Sequence, residues 1–304
     1  MNVSKVRIGM MICLALLGGI LAQQASPKSP VSTGPYLGQS PPGLTPAVFA
    51  PGIVSTEDHE FSCALSPDGK EFYFTRQHPE MRNRVMVTRW ESTGWTEPEM
   101  APKAGDDEGM EPSLSPDGKT LFYQTWRQTP DATTPSMDIW TITRGDKGWS
   151  DPIHLGPPFN PGKSMYISVA ANGTIYTTDI SGGMGTGTIV ATRLKGGTYE
   201  PFMPLPSIIN ATGREIYPCI APDESFLLFM RANEDKTASL YVSFRTSAGA
   251  WSEPKKLELG LSIATMPRLS PDGKYLFFTS VSEKSKGDIY WVDAAIIESL
   301  RPKQ

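Results

Sequence analysis

Residues 112–123 read PSLSPDGKTLFY, and the phrase returns along the chain. Residues 63–74 read CALSPDGKEFYF, residues 218–229 PCIAPDESFLLF and residues 267–278 PRLSPDGKYLFF, with a degenerate copy, ISVAANGTIYT, at 167–177. Counted from Ser66, Ser115, Ala170, Ala221 and Ser270, the spacings are 49, 55, 51 and 49 residues. A steady period near fifty marks a repeat in which each copy is one supersecondary unit. Ser-Pro-Asp-Gly is turn chemistry: proline presets φ, aspartate bonds back to the local backbone, and glycine takes positive φ freely. Short β-prone runs flank it, such as Phe72-Tyr73-Phe74 and Leu276-Phe277-Phe278. Each copy therefore reads as a strand–turn–strand hairpin.

A third strand follows each hairpin, at Val85-Met86-Val87, Asp138-Ile139-Trp140, Ile189-Val190-Ala191, Leu240-Tyr241-Val242 and Asp288-Ile289-Tyr290. A fourth then carries an aromatic and a proline: Trp95 with Pro98, Trp149 with Pro152, Tyr199 with Pro201, Trp251 with Pro254. Proline suits an outermost strand, where not every N–H is needed. Four such strands in about fifty residues make a propeller blade. The last unit has no fourth strand, because the chain turns helical over 294–300 and stops. Residues 46–53 can supply it from the other end. The expectation is all-β: a five-bladed β-propeller of four-stranded antiparallel blades over 44–300, closed by an N-terminal strand that completes the last blade.

The repeats, with Asp-Ile-aromatic third strands and Trp-Ser-x-Pro fourth strands, resemble the WD-like β-propeller repeats of TolB-type cell-envelope proteins. The resemblance covers nearly all of the chain beyond residue 44, with five units where TolB itself has six. It implies a periplasmic or secreted protein that binds proteins or cell-wall material. The N-terminus agrees. Lys5 and Arg7 precede an apolar run, 8–22, that is short for a membrane span and ends in small residues, which reads as a signal peptide over 1–22. Residues 23–43 are Pro/Ser/Gly-rich and read as a flexible tether.

The 304 residues carry Lys+Arg 28 against Asp+Glu 32, a formal charge of −4. That balance speaks against nucleic acid as a partner. Three cysteines make no disulfide scaffold. Cys63 and Cys219 fall on innermost strands of non-adjacent blades and read as packed thiols. Asn172 and Asn210 each open an Asn-x-Thr pattern that matters only in a eukaryotic setting.

In a propeller the inter-blade loops and the starts of the innermost strands share one face, opposite the Ser-Pro-Asp-Gly turns. Rigidly held loops are where ligands bind. Candidate ligand-binding residues there are His59, Glu60, Arg76, Glu111, Trp126, Arg127, Tyr166, Asp179, Arg214, Tyr217 and Arg231. Lys163 stands beside Tyr166. Arg76, Arg127 and Arg231 have a second reading, as ion pairs that fasten blades. Nucleophile elbows, phosphate loops and His-Glu-x-x-His are missing. His59, His78 and Glu60 are a thin ligand set for a metal, so no metal and no cofactor is expected. The preferred function is an exported, monomeric module that binds an envelope protein or saccharide through its loop face without catalysis. The alternative is a carbohydrate-active hydrolase or lyase with Glu60, Glu111, Asp179 and Glu215 as paired acids.

Overall fold

The computed structural model describes residues 32–78, 82–129, 136–162, 164–183, 186–282 and 285–302. The signal-peptide expectation, the start of the tether and Lys163 lie outside them. The chain forms five small antiparallel sheets arranged as a five-bladed propeller. The innermost strands are His59–Leu65, Gly109–Leu114, Ser164–Val169, Glu215–Ile220 and Thr265–Leu269. Each pairs through its turn with a second strand: Glu71–Gln77, Thr120–Thr125, Ile175–Asp179, Phe226–Ala232 and Tyr275–Ser282. The turn works as its residues dictate. Ser115 Oγ donates to Asp117 Oδ1 at 2.6 Å, the Lys119 N–H reaches the same oxygen at 3.0 Å, and Gly118 takes φ +68°.

The ring closes where the sequence places the closure. Ala47–Val48 pairs antiparallel with Ser285–Asp293, the third strand of blade 5, in the register Ala47↔Trp291 and Val48↔Tyr290. Phe49, the next residue, is fully buried, with its ring 4.8 Å from Phe72 of blade 1 and 5.0 Å from Phe277 of blade 5. The buried apolar side chains fall into five clusters, and each spans one seam between neighbouring blades. A thin four-stranded sheet cannot bury both faces alone, so the seams are the core.

The outer strand is shorter than the sequence suggests. The aromatic residue pairs with the end of the third strand, as in Trp95↔Trp90, and the outer strand proper begins past the proline, at Glu99↔Val87. The register slips by one residue between these pairs, and it slips equally between Trp149↔Arg144 and Ile153↔Thr141. Proline has no N–H for the ladder, so a bulge forms around it.

Residues 32–43, read from composition as part of a tether, pack against the seam of blades 5 and 1. Leu37 is buried, Trp95 Nε1 donates to the Gly34 carbonyl at 2.8 Å, and Tyr36 stacks edge-on against Tyr275 at 4.9 Å. Cys63 and Cys219 are free and buried. No helix among the described residues is long and apolar enough to cross a membrane.

Candidate functional site

Every innermost strand carries a bulge at one equivalent position. The register slips between Phe61 and Cys63, Met110 and Ser113, Met165 and Ser168, Ile216 and Cys219, and Thr265 and Arg268. Inside each slip one non-glycine residue adopts positive φ: Ser62, Glu111, Tyr166, Tyr217 and Met266, between +48° and +59°. Such backbone costs about 1–3 kcal/mol unless its surroundings require it. In blades 1, 2 and 4 the inverted peptide aims its N–H at a threonine of the preceding blade. Ser62 N–H donates to Thr279 Oγ1 at 3.1 Å, Glu111 N–H to Thr75 Oγ1 at 2.9 Å, and Tyr217 N–H to Thr178 Oγ1 at 3.0 Å. The bulge therefore fastens blades to one another and kinks the strand beside the axis.

Above these bulges, on the loop face, lies an axial cavity of about 800 Å³. Its walls are apolar and rich in sulfur. Met110, Met137, Met165, Met230 and Met266 line it, together with Phe61, Ile216 and Trp126. Glu111 and Tyr217 also line it. Trp126 is 38% exposed. Beneath, the axis is crossed by Arg268, whose Nε reaches the Cys63 carbonyl at 3.2 Å and whose Nη2 reaches the Ile167 carbonyl at 3.1 Å. Its guanidinium lies 4.7 Å from the centre of the Tyr166 ring, and Tyr166 Oη donates to the Pro267 carbonyl at 2.6 Å.

Glu111 is the unusual group. It is 4% exposed, and its Oε2 has no hydrogen-bond partner. Burial pushes its carboxyl up to about 8, against a hydrogen bond from the Tyr166 backbone and the nearby Arg268 charge. At neutral pH the group is therefore mostly a neutral acid, in an apolar chamber.

The other sequence candidates divide. His59, Glu111, Trp126 and Tyr217 meet at the cavity, with Tyr166 directly below. Glu60 is fully buried and taken up by Arg76 at 2.7 Å, by the Thr56 N–H at 2.9 Å and by Thr56 Oγ1 at 2.6 Å. Arg76 also donates to the Ile53 carbonyl at 2.9 Å. Blade 4 repeats the arrangement: Glu215 accepts from Arg231 at 2.8 Å and from Thr212 Oγ1 at 2.9 Å. Arg127 pairs with Asp107 and stacks over Trp140. These arginines and carboxylates tie the innermost strands to the loops that enter them. Asp179 and Arg214 line a separate groove of about 510 Å³, where Asp179 accepts from Ser181 Oγ at 2.6 Å. His59 bonds Gln77 at 3.2 Å and packs against Gly287, where any Cβ would collide with its ring at 2.2 Å. Asn210 spends its amide on the Ile189 and Leu205 carbonyls, so it is a strand clip.

The sequence reading missed the methionines. Two of the five carried a signal, because Met110 and Met165, like Phe61, Ile216 and Thr265, stand five residues before the turn's first residue. In an alternating strand this places them in one ring at the channel mouth.

No protein-family model matches the chain, and no curated protein aligns with it. Solved structures do resemble it. A protein of Agrobacterium tumefaciens provisionally named TolB is 16% identical over 78% of each chain, with a TM-score of 0.52. TolB of Acinetobacter baumannii is 13% identical, with a TM-score of 0.51; the match covers 80% of this chain and 53% of that one, about half its length. The catalytic domain of a Coprinopsis cinerea α-L-arabinofuranosidase is 10% identical over 83% of this chain and 97% of that one, with a TM-score of 0.50. At these identities the likeness is one of fold, and it is shared by two TolB proteins and the catalytic domain of an arabinofuranosidase.

Proposed function

We propose that the chain is an exported binding module that seats an envelope partner, protein or saccharide, on its loop face and performs no reaction on it. The axial cavity carries this reading. It is large, sits on the face where rigidly held loops gather, and is walled by methionines and aromatics, which adapt to varied apolar surfaces. Such walls favour the apolar side chains of a protein over a saccharide. The signal-like N-terminus and the likeness to TolB-type propellers support a periplasmic or secreted setting.

The test is to immobilise the mature protein and its Trp126→Asp variant and challenge both with a glycan array and with envelope proteins. The expected result is a partner held by the wild type and lost from the variant, whose folding is checked by circular dichroism. Equal retention by both would remove the cavity from the binding surface.

One observation favours the alternative. Glu111 is held as a neutral acid, which a glycosidase requires of its proton donor. The mechanism also needs an ionised carboxylate roughly 5–10 Å away, and Glu60 and Glu215 are each occupied by an arginine. Release of reducing sugar from envelope polysaccharides by the wild type, and not by Glu111→Gln, is the outcome that would establish the enzyme.

A further inference from the structure

The cavity's chemistry is narrower than a general apolar socket. Among the described residues its lining includes no lysine and no arginine, and its ionisable groups are Glu111, His59 and the Tyr217 phenol. His59 is engaged with Gln77 and pinned against Gly287. Burial and the neighbouring Glu111 hold the Tyr217 phenol well above its ordinary range, so it stays neutral. Arg268, the charge beneath, is committed to two carbonyls and the Tyr166 ring. Two polar atoms of lining side chains are left without a partner, both of them acceptors, Glu111 Oε2 and Gln124 Oε1, and of the two only Glu111 can carry a charge. A buried polar atom with no bond costs about 1–3 kcal/mol, and native structures keep few of them without a purpose. The walls suit one kind of headgroup. Phe61, Trp126 and Tyr217 are among the lining residues, and aromatic rings attract cations when desolvated. The five thioethers offer polarisable contact to an apolar body.

We propose that the axial cavity binds an amphiphilic organic cation, an ammonium group on an apolar body, with its nitrogen on Glu111 Oε2 and its body along the methionine wall. This rests on the cavity's being the binding site. An anion would find no free cation among the described lining residues, and a neutral ligand would leave the Glu111 carboxyl without a charged partner. Binding is coupled to a proton. The neutral acid gives up its O–H proton to the buffer, and the resulting carboxylate pairs with the ammonium nitrogen. The ligand itself loses nothing and forms no covalent bond. Pairs of this kind are worth about 1.5–3 kcal/mol, or ten- to hundredfold in affinity.

The experiment uses the mature protein and three probes of equal chain length: decylammonium, decanol and decanoate, each below its micellar concentration. Calorimetry at pH 7 in two buffers of different ionisation enthalpy reads affinity and proton release together. Decylammonium should bind about ten- to hundredfold more tightly than decanol and should release a proton. Glu111→Gln should abolish both the preference and the release while keeping decanol binding. Equal affinity for amine and alcohol, or tightest binding of decanoate, would overturn the cation assignment and leave the cavity as a site. Binding of none of the three would overturn it as well. The Trp126→Asp capture experiment then decides independently whether the face binds a partner at all. The wild-type preference and proton count need no variant, so they stand even if Glu111→Gln folds poorly.

Discussion

At the scale of single residues, two glutamates of similar burial have quite different neighbours. Glu60 has an arginine and two donors from Thr56, whereas Glu111 has one backbone N–H and an empty side. Removing the partner of a buried charge costs about 3–5 kcal/mol, so Arg76→Ala should lower the free energy of unfolding in urea by that order. Arg231→Ala, which strands Glu215, should do the same. A loss below about 1 kcal/mol would mean these pairs behave like surface pairs. Glu111 acts through pH. Its folded value of about 8 lies above its ordinary 4.5, so the folded chain keeps a proton that the unfolded chain has released. Its contribution is most favourable below 4.5 and is lost as pH rises towards 8, by at most about 1.4 kcal/mol per pH unit. Unfolding measured from pH 5 to 8 should show that fall in the wild type and a flatter profile in Glu111→Gln; parallel profiles would contradict the assignment. In the sequence Glu60 and Glu111 are both acids on one face, and the repeat register sets Glu60 and Glu215 six residues before the turn and Glu111 four before it. What that difference means becomes visible only in the bulge that holds Glu111, which depends on contacts between strands from different blades.

At the scale of elements, the turns and bulges explain what the repeats repeat. Turn aspartates were readable because Ser-Pro-Asp-Gly is local chemistry. The Ser115 hydroxyl and the Lys119 N–H hold Asp117 below the ordinary carboxylate range, and Ser225 does so for Asp223. Depressed carboxyls stabilise the fold above their unfolded value, and that stability is lost as pH falls through the folded one. The positive-φ residues were not readable. Ser62, Glu111, Tyr166, Tyr217 and Met266 share no side-chain chemistry, and what Ser62, Glu111 and Tyr217 share is a backbone N–H bonded to a threonine of the preceding blade. The acceptors test this. Thr75→Val and Thr178→Val keep shape but remove the oxygen, and each should cost about 1–2 kcal/mol in urea unfolding. The two sites belong to different seams, so the double variant should be close to additive. A cost near zero would show that the strained peptides find another partner. The outer strand shows the opposite limit: Trp-x-x-Pro marked its position, but the bulge at proline shortened it.

At the scale of the molecule, the period of about fifty residues carried the architecture, and the missing fourth strand carried the closure. The Ala47–Val48 strand is short, and Phe49 strengthens it by filling the closing seam. Phe49→Ala should cost about 3–5 kcal/mol, more than truncation of an exposed residue such as Leu44, because it opens the ring at its only non-sequential joint. The cavity was legible only as a face. Its apolar character comes from side chains scattered across all five blades, which no local window brings together. The exposed apolar residues of the outer strands, Met100, Ile153 and Met203, sit on separate blades and form the competing surface. One measurement separates the two. The protein labelled with carbon-13 at its methionine methyls is titrated with envelope extract and, separately, with decylammonium. Shifts at Met110, Met137, Met165, Met230 and Met266, with Met100 and Met203 unmoved, are the expected result. Shifts confined to Met100 and Met203 would place binding on the blade edges and contradict the axial site.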